Sequence, residues 1–310
     1  MRKLPIVALI TILLNLGGCA VTSHPAEHAS LGVTRGMREL ERLIDQPGPI
    51  VLTTVNSADW QVSRAGLIDL DDPRAKAAGL HDGDEPIQIY FHALRHPDKG
   101  LFLVDTGVER ALRDDPEHAA IRGLVTRFMD FQAMKFHQPL GDWLAQQREP
   151  VRGVFMTHLH LDHVAGMADV PRDTPVYTGP GEAASSALLH AFVKRSTNRA
   201  LAGKPALQEW RFSRSKDQPF AGVLDVFGDG SVWALWTPGH TPGSTSYLVR
   251  TAQGPVLMVG DTCHTRWGWE HHVAPGSFTS DRPANARSLD ALEALVAAHP
   301  TIEVRLGHQH

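Results

Sequence analysis

The feature that most constrains this chain is an apolar run that ends in a cluster of metal-ligand residue types. Residues Val151 to Met156 read as a short buried strand, and Thr157-His158-Leu159-His160-Leu161-Asp162-His163 follows at once. A tight turn after the strand brings His158, His160, Asp162 and His163 to one edge. Two imidazoles spaced by one residue share a face where the backbone is extended. The adjacent Asp162 and His163 can then point to a second position. Imidazole nitrogen and carboxylate oxygen both bind borderline divalent cations such as zinc, at about 2.0–2.2 Å. A lone histidine deserves a bland reading. Three histidines and one aspartate within six positions, directly after a strand, imply a metal centre rather than a histidine-rich surface turn.

The rest of the 310-residue chain supplies the material for a large domain around that cluster. Strands are expected at residues 50–56, 87–93 and 101–104, with the turn-like His96-Pro97-Asp98-Lys99-Gly100 between the last two. Further strands are expected at 223–227, 232–236, 247–249, 256–259 and 302–306. Helical spacing marks 182–202 and 284–298, the latter with Leu289, Leu292, Leu295 and Val296 on one face. Residues 109–147 read as a helical insert, with Ile121, Leu124, Val125 and Phe128 at helical spacing. Strands in groups with helices between them suggest two sheets covered by helices.

The amino terminus has a different character. Arg2 and Lys3 precede an apolar run from Leu4 to Leu16, of signal-peptide length and shorter than a bilayer-spanning helix. It ends in Leu16-Gly17-Gly18-Cys19, which resembles the lipobox of bacterial lipoproteins. The resemblance implies a signal peptide at 1–18, lipidation of Cys19 and attachment to a membrane of the cell envelope. Ala20 after the cysteine points to the outer membrane, on its periplasmic or surface face. Residues 19–30 then read as a polar tether and 31–310 as the folded domain. Cys263 is the only other cysteine, so no disulfide framework is expected, and it reads as a small buried residue. The formal net charge of −4 gives no electrostatic case for nucleic acid as a partner.

Four more segments accompany the histidine cluster. They are Leu103-Val104-Asp105-Thr106-Gly107, Thr237-Pro238-Gly239-His240-Thr241-Pro242-Gly243-Ser244, Gly260-Asp261-Thr262 and Leu306-Gly307-His308. With His158-x-His160-x-Asp162-His163 they resemble, in order, the five motifs of the metallo-β-lactamase superfamily. The resemblance implies an α+β fold, a four-layer αβ/βα sandwich of two mixed sheets flanked by helices. It implies two divalent metal ions, zinc foremost, with iron, manganese or cobalt as the other candidates. His158, His160 and His240 would hold one. Asp162, His163 and His308 would hold the other, and Asp261 would bridge them. Asp105 would orient a ligand imidazole through a hydrogen bond. Prolines and glycines around His240 force a loop that can aim its ring inward, and Gly260 permits close backbone approach before Asp261. His310 follows no motif and reads as solvent-facing.

The implied chemistry is hydrolysis by a metal-activated water, with Asp162 and Asp261 as catalytic carboxylates. Asp261 argues against a true β-lactamase, which lacks that carboxylate. The segment Gly260-Asp261-Thr262-Cys263-His264, the insert and the Gly-His ending look most like N-acyl-homoserine lactonases, with a small ester or lactone as substrate. Glyoxalase-II-like thioesterases and phosphoesterases, including organophosphate hydrolases, are the alternatives within the family. A non-catalytic metal-binding lipoprotein is the alternative outside it. The lactonases commonly carry a tyrosine three residues after the bridging aspartate; here that position is His264, which can donate the same hydrogen bond. In the insert, Phe128, Met129, Phe131, Met134 and Phe136 either line an apolar pocket or pack the insert, and Trp267 and Trp269 stand alike.

Overall fold

The structure is a computed structural model that describes residues 19–187, 190–213 and 219–310. The apolar segment read as a signal peptide lies outside the described residues. The described residues begin with β1 (Cys19–Ala20), β2 (Ala26–His28), β3 (Val33–Thr34) and α1 (Met37–Leu43). The long hairpin β4 (Val51–Ser63) and β5 (Asp84–His96) follows, with α2 (Arg64–Leu67) and α3 (Pro73–Ala77) between its arms. Next come β6 (Gly100–Val104), α4 (Arg110–Asp114), α5 (Leu124–Phe128), β7 (Lys135–Phe136), α6 (Leu140–Leu144), β8 (Val151–Phe155) and α7 (Leu161–Val164). Then β9 (Val176–Thr178), β10 (Ser186–Ala187), α8 (His190–Ala200), β11 (Leu207–Glu209), β12 (Gly222–Asp225) and β13 (Val232–Trp236) complete the middle. The chain finishes through β14 (Thr245–Thr251), β15 (Gly254–Gly260), α9 (Arg266–Glu270), α10 (Arg282–Ala298) and β16 (Glu303–Leu306).

Among the described residues β1 and β10 form a separate two-stranded sheet, and two large sheets run β2-β11-β9-β8-β6-β5-β4-β7 and β16-β15-β14-β13-β12-β3. Both are mixed: β8 lies parallel to β6 and β9, and β15 is parallel to β16 and antiparallel to β14. The layers follow from side-chain alternation along strands buried on both faces. In β6, Phe102 and Val104 face the inter-sheet core while Leu101 and Leu103 face the outer helices. In β15, Val256 and Met258 face inward while Leu257 and Val259 pack on the other outer layer with Leu289, Leu292 and Leu295 of α10. Continuous apolar runs are therefore required, because both sides of each strand are covered. The result is the expected helix–sheet–sheet–helix sandwich. Phe155 sits at the centre of the inter-sheet core, its ring stacked on Phe102 at 5.1 Å and on Tyr247 at 5.8 Å.

Some elements depart from the expectation. Within the helix expected over 182–202, Glu182 turns its carboxylate inward and a short strand, β10, follows, and the described helix is α8. Residues 109–147 form α4, α5, a 3-10 turn at Phe131–Ala133, β7 and α6 rather than long helices, and β7 pairs with β4. Gly123 with φ +80° and Asp130 with φ +50° break the helical path. Residues 19–30 are docked rather than free: β1 pairs with β10, and β2 pairs with β11. Thr22 Oγ1 donates to Asn198 Oδ1 of α8 at 2.6 Å.

This architecture gathers the motif residues at one end. Asp105 follows β6, the histidine cluster follows β8, His240 follows β13, Asp261 follows β15 and His308 follows β16. All lie beyond the carboxyl ends of strands. Thr245 N–H donates to Thr157 O at 2.9 Å and Gln88 N–H to His308 O at 3.0 Å, stitching the two sheets together beside them.

Truncating Phe155 to alanine leaves a cavity between the sheets. We expect a loss of about 3–5 kcal/mol, read as a lowered urea midpoint with unchanged slope; a change below about 1 kcal/mol contradicts this packing.

Candidate metal centre

The site is built where the two sheets meet. His158, His160 and His240 converge with Asp261, and Asp162, His163 and His308 converge with the same Asp261. In each group one ligand atom per residue lies within 4.8 Å of all the others. His240 Nε2 stands 2.9 Å from His160 Nδ1 and 3.2 Å from His158 Nε2. Asp261 Oδ2 lies 3.6 Å from His158 Nε2, 3.5 Å from His240 Nε2 and 3.3 Å from His163 Nε2. Its Oδ1 lies 3.4 Å from His308 Nε2, which is 3.2 Å from Asp162 Oδ2. Seven side chains from four segments of the chain thus surround two positions, with one carboxylate between them.

Several of the rings are aimed by a partner on the far side, as metal-binding imidazoles generally are. Asp105 Oδ2 accepts from His163 Nδ1 at 2.8 Å, while the same carboxylate accepts from Thr157 N–H and Oγ1 at 2.8 Å. His308 Nδ1 donates to the Gln88 carbonyl at 2.9 Å. Asp105 adopts φ +55°, a left-handed conformation that aspartate tolerates and that turns the chain from β6 toward the site. Gly307 is required by close approach: a Cβ there would stand 2.2 Å from Asp261 Oδ1.

The electrostatics fit a pair of cations. Burial, reinforced by the neighbouring imidazoles, holds His158 and His240 well below the ordinary histidine range, so both are neutral donors. Burial also opposes charge on His308, but Asp261 and Asp162 outweigh it and raise its pKa to about 10. Neutral nitrogens crowd one carboxylate from one side, and from the other side two carboxylates call for positive charge. His163 Nε2 and Asp261 Oδ1 are buried without a hydrogen bond of their own. A buried polar group left so costs about 1–3 kcal/mol, which a coordinated cation removes.

Of the residues singled out from sequence, the nine around the centre are brought together: His158, His160, Asp162, His163, His240, Asp261, His264, His308 and Asp105. His264 is buried, with Nε2 3.2 Å from Asp261 Oδ2 and its ring stacked flat on His308 at 5.7 Å. Cys263 is buried, and burial pushes its thiol up to about 12. Cys19 lies apart, in β1. His310 is not solvent-facing: it packs on the Tyr90 ring at 3.9 Å, and burial pulls it down to about 3. Phe131 and Met134 are buried in the outer core, Phe131 against Trp60 at 5.1 Å, and Met129, Phe136 and Trp267 pack on the same cluster, with Trp269 on the core around α10. Phe128 does not; it is 72% exposed.

Sequence reasoning missed Glu182. Its buried carboxylate accepts from Leu159 N–H at 2.7 Å, between His158 and His160, and from Thr241 Oγ1 at 2.6 Å and Gly243 N–H at 3.1 Å, beside His240. One side chain thereby locks the two loops that carry three of the histidines. The only hint in the sequence is an acidic residue inside the small-residue run Gly179-Pro180-Gly181-Glu182-Ala183-Ala184.

The fold and this paired cluster define the class: an αβ/βα sandwich with a dinuclear metal centre at one end. The chain belongs to the metallo-beta-lactamase superfamily, whose profile matches residues 84–308. It is 31% identical over 159 residues to N-acyl homoserine lactonase AttM of Agrobacterium fabrum, covering 51% of this chain and 58% of that protein. It is 30% identical to the AttM lactonase of Azorhizobium caulinodans, covering 73% of this chain and 83% of that protein. A crystal structure of a quorum-quenching N-acyl homoserine lactone lactonase superposes with a TM-score of 0.58 at 19% identity, covering 86% of this chain and 94% of that one.

Replacing Glu182 by alanine strands two buried N–H groups, of Leu159 and Gly243, and leaves the Thr241 hydroxyl with Ser244 alone. We expect about 3 kcal/mol lower stability and metal affinity lowered about 10- to 100-fold, with Glu182→Gln retaining part of both. Unchanged metal affinity in Glu182→Ala, measured by competition with a chromogenic chelator, removes the positioning role.

Proposed function

We propose that the chain is a dinuclear zinc hydrolase that opens the ring of N-acyl-homoserine lactones, held at the cell envelope by lipid on Cys19. The observation that carries the reading is the shared position of Asp261 between two buried groups of ligand side chains. The lactonase names of the relatives support the substrate class, and the lipobox resemblance supports the anchor. His158, His160 and His240 would hold one cation, Asp162, His163 and His308 the other, with Asp261 between.

The cations, when bound, lower the pKa of water toward neutrality and polarise an ester carbonyl. The protein's own groups do the rest. Asp162, whose side chain is 17% exposed, is the carboxylate of the cluster most open to solvent. It orients the attacking water and takes up its proton. The alkoxide leaving group formed on ring opening needs a proton donor, and Asp162 can return that proton. His264 stands where the lactonases carry their tyrosine. In this reading His264 would steady the shared carboxylate and donate a ring N–H to the substrate; its Nε2, 3.2 Å from Asp261 Oδ2, and its stack on His308 support a place beside the cluster.

Three outcomes follow. Purified protein opens a homoserine lactone faster than it cleaves S-lactoylglutathione, bis-p-nitrophenyl phosphate or paraoxon; activity confined to the phosphodiester overturns the substrate class. Dialysis against a chelator abolishes the activity and zinc restores it. His264→Ala lowers kcat on lactone about 100-fold with KM nearly unchanged, and His264→Tyr recovers most of it. A wild-type rate in His264→Ala would dismiss His264 from catalysis.

A further inference from the structure

A face of the domain that contains none of the metal ligands carries exposed aromatic side chains among basic ones. Leu124 is 75% exposed and Phe128 72%, both on α5; Phe192, on α8, is 36% exposed. The Phe128 and Phe192 rings meet edge to face at 5.1 Å, so these residues form one contiguous patch. Solvent-exposed apolar clusters of this kind mark a contact surface. The two helices, Leu124–Phe128 and His190–Ala200, contain Arg127, Lys194, Arg195 and Arg199 and no acidic residue. Arg122 lies next to them, and both it and Arg199 bond to backbone carbonyls at Ala119 and Ala120 rather than to carboxylates. The chain as a whole carries −4, so this positive face is local.

The position of the patch says what meets it. Cys19 and Ala20 pair with Ala187 and Ser186 at the start of the α8 segment. Val21 N–H donates to Ser185 O at 2.8 Å, and Thr22 and Ser23 bond to Asn198 of α8 at 2.6 and 2.8 Å. The apolar run Leu4 to Leu16 stops just before Cys19. A residue spans at most about 3.6 Å, and residues 19–23 are fastened to β10, Ser185 and Asn198 of α8, so the anchor point is held beside the helix that carries Phe192.

We propose that Leu124, Phe128 and Phe192, with the surrounding arginines and lysine, form a membrane-docking face that inserts into the interfacial layer of an anionic lipid bilayer. Aromatic and aliphatic side chains enter the acyl boundary, while the basic groups meet lipid phosphates. Lipid on Cys19 would supply attachment; the face supplies orientation. Because α8 also touches α7, which carries Asp162 and His163, docking holds the metal centre at a fixed attitude to the membrane. The inference rests on the proposed attachment at Cys19 only for the direction in which the bilayer lies.

The test uses the full chain in vesicles of phosphatidylglycerol and phosphatidylethanolamine, with acylation of Cys19 determined by mass spectrometry on the same preparation. Cys263 is buried, so in acylated protein a nitroxide placed at Phe128→Cys or Phe192→Cys reports from that position alone. Both labels are expected to be readily relaxed by oxygen and shielded from a water-soluble nickel chelate; a label at exposed Asp71→Cys shows the reverse. Equal nickel accessibility at all three positions in acylated protein overturns the docking face while leaving the anchor intact. If Cys19 proves unacylated, vesicle flotation reads the face instead. Leu124→Ser/Phe128→Ser/Phe192→Ser is then expected to bind at least about 100-fold more weakly than the unaltered chain, and equal binding overturns the proposal.

Discussion

The Asp261 carboxylate, set where two sheets meet, is the constraint around which the structure is organised. It stands within 3.6 Å of ring nitrogens from His158, His163, His240, His264 and His308. These groups repel or strand one another unless cations lie between them. Holding them in place takes the whole sandwich. β6 and β8 deliver one half of the set, β13, β15 and β16 the other, and the inter-sheet core around Phe155 keeps the halves in register. The site and the core are therefore coupled through strand ends rather than through separate modules.

Much of this was legible in the sequence because the ligand residues sit directly after apolar strands. The strand carrying Val151 to Met156 and the cluster after it need no tertiary information to be recognised. Continuous apolar runs such as Val256-Leu257-Met258-Val259 also announce strands covered on both faces. Other parts were not legible, for physical reasons. The helix expected from Glu182 onward gives way to a turn, because the Glu182 carboxylate is worth more bonded to Leu159, Thr241 and Gly243 than exposed on a helix. Those partners lie 23 to 61 residues away, beyond any local pattern. His310 looked like a free end, yet Tyr90 and His92 receive it, and that contact depends on β5 lying beside the chain end.

Charge shows the same limit. A net of −4 hides two neighbouring helices, α5 and α8, that carry four basic residues and no acidic one. The residues after Cys19, polar in composition, read as a tether, but Thr22 and Ser23 find Asn198 and the segment docks. Composition reports averages, and function here depends on which side chains the sheets and helices bring to one surface.

Anomalous diffraction from crystals grown with zinc tests the central claim most directly. Two peaks are expected, one amid His158, His160 and His240 and one amid Asp162, His163 and His308, with Asp261 contacting both. No peak, or peaks away from Asp261, would contradict the account.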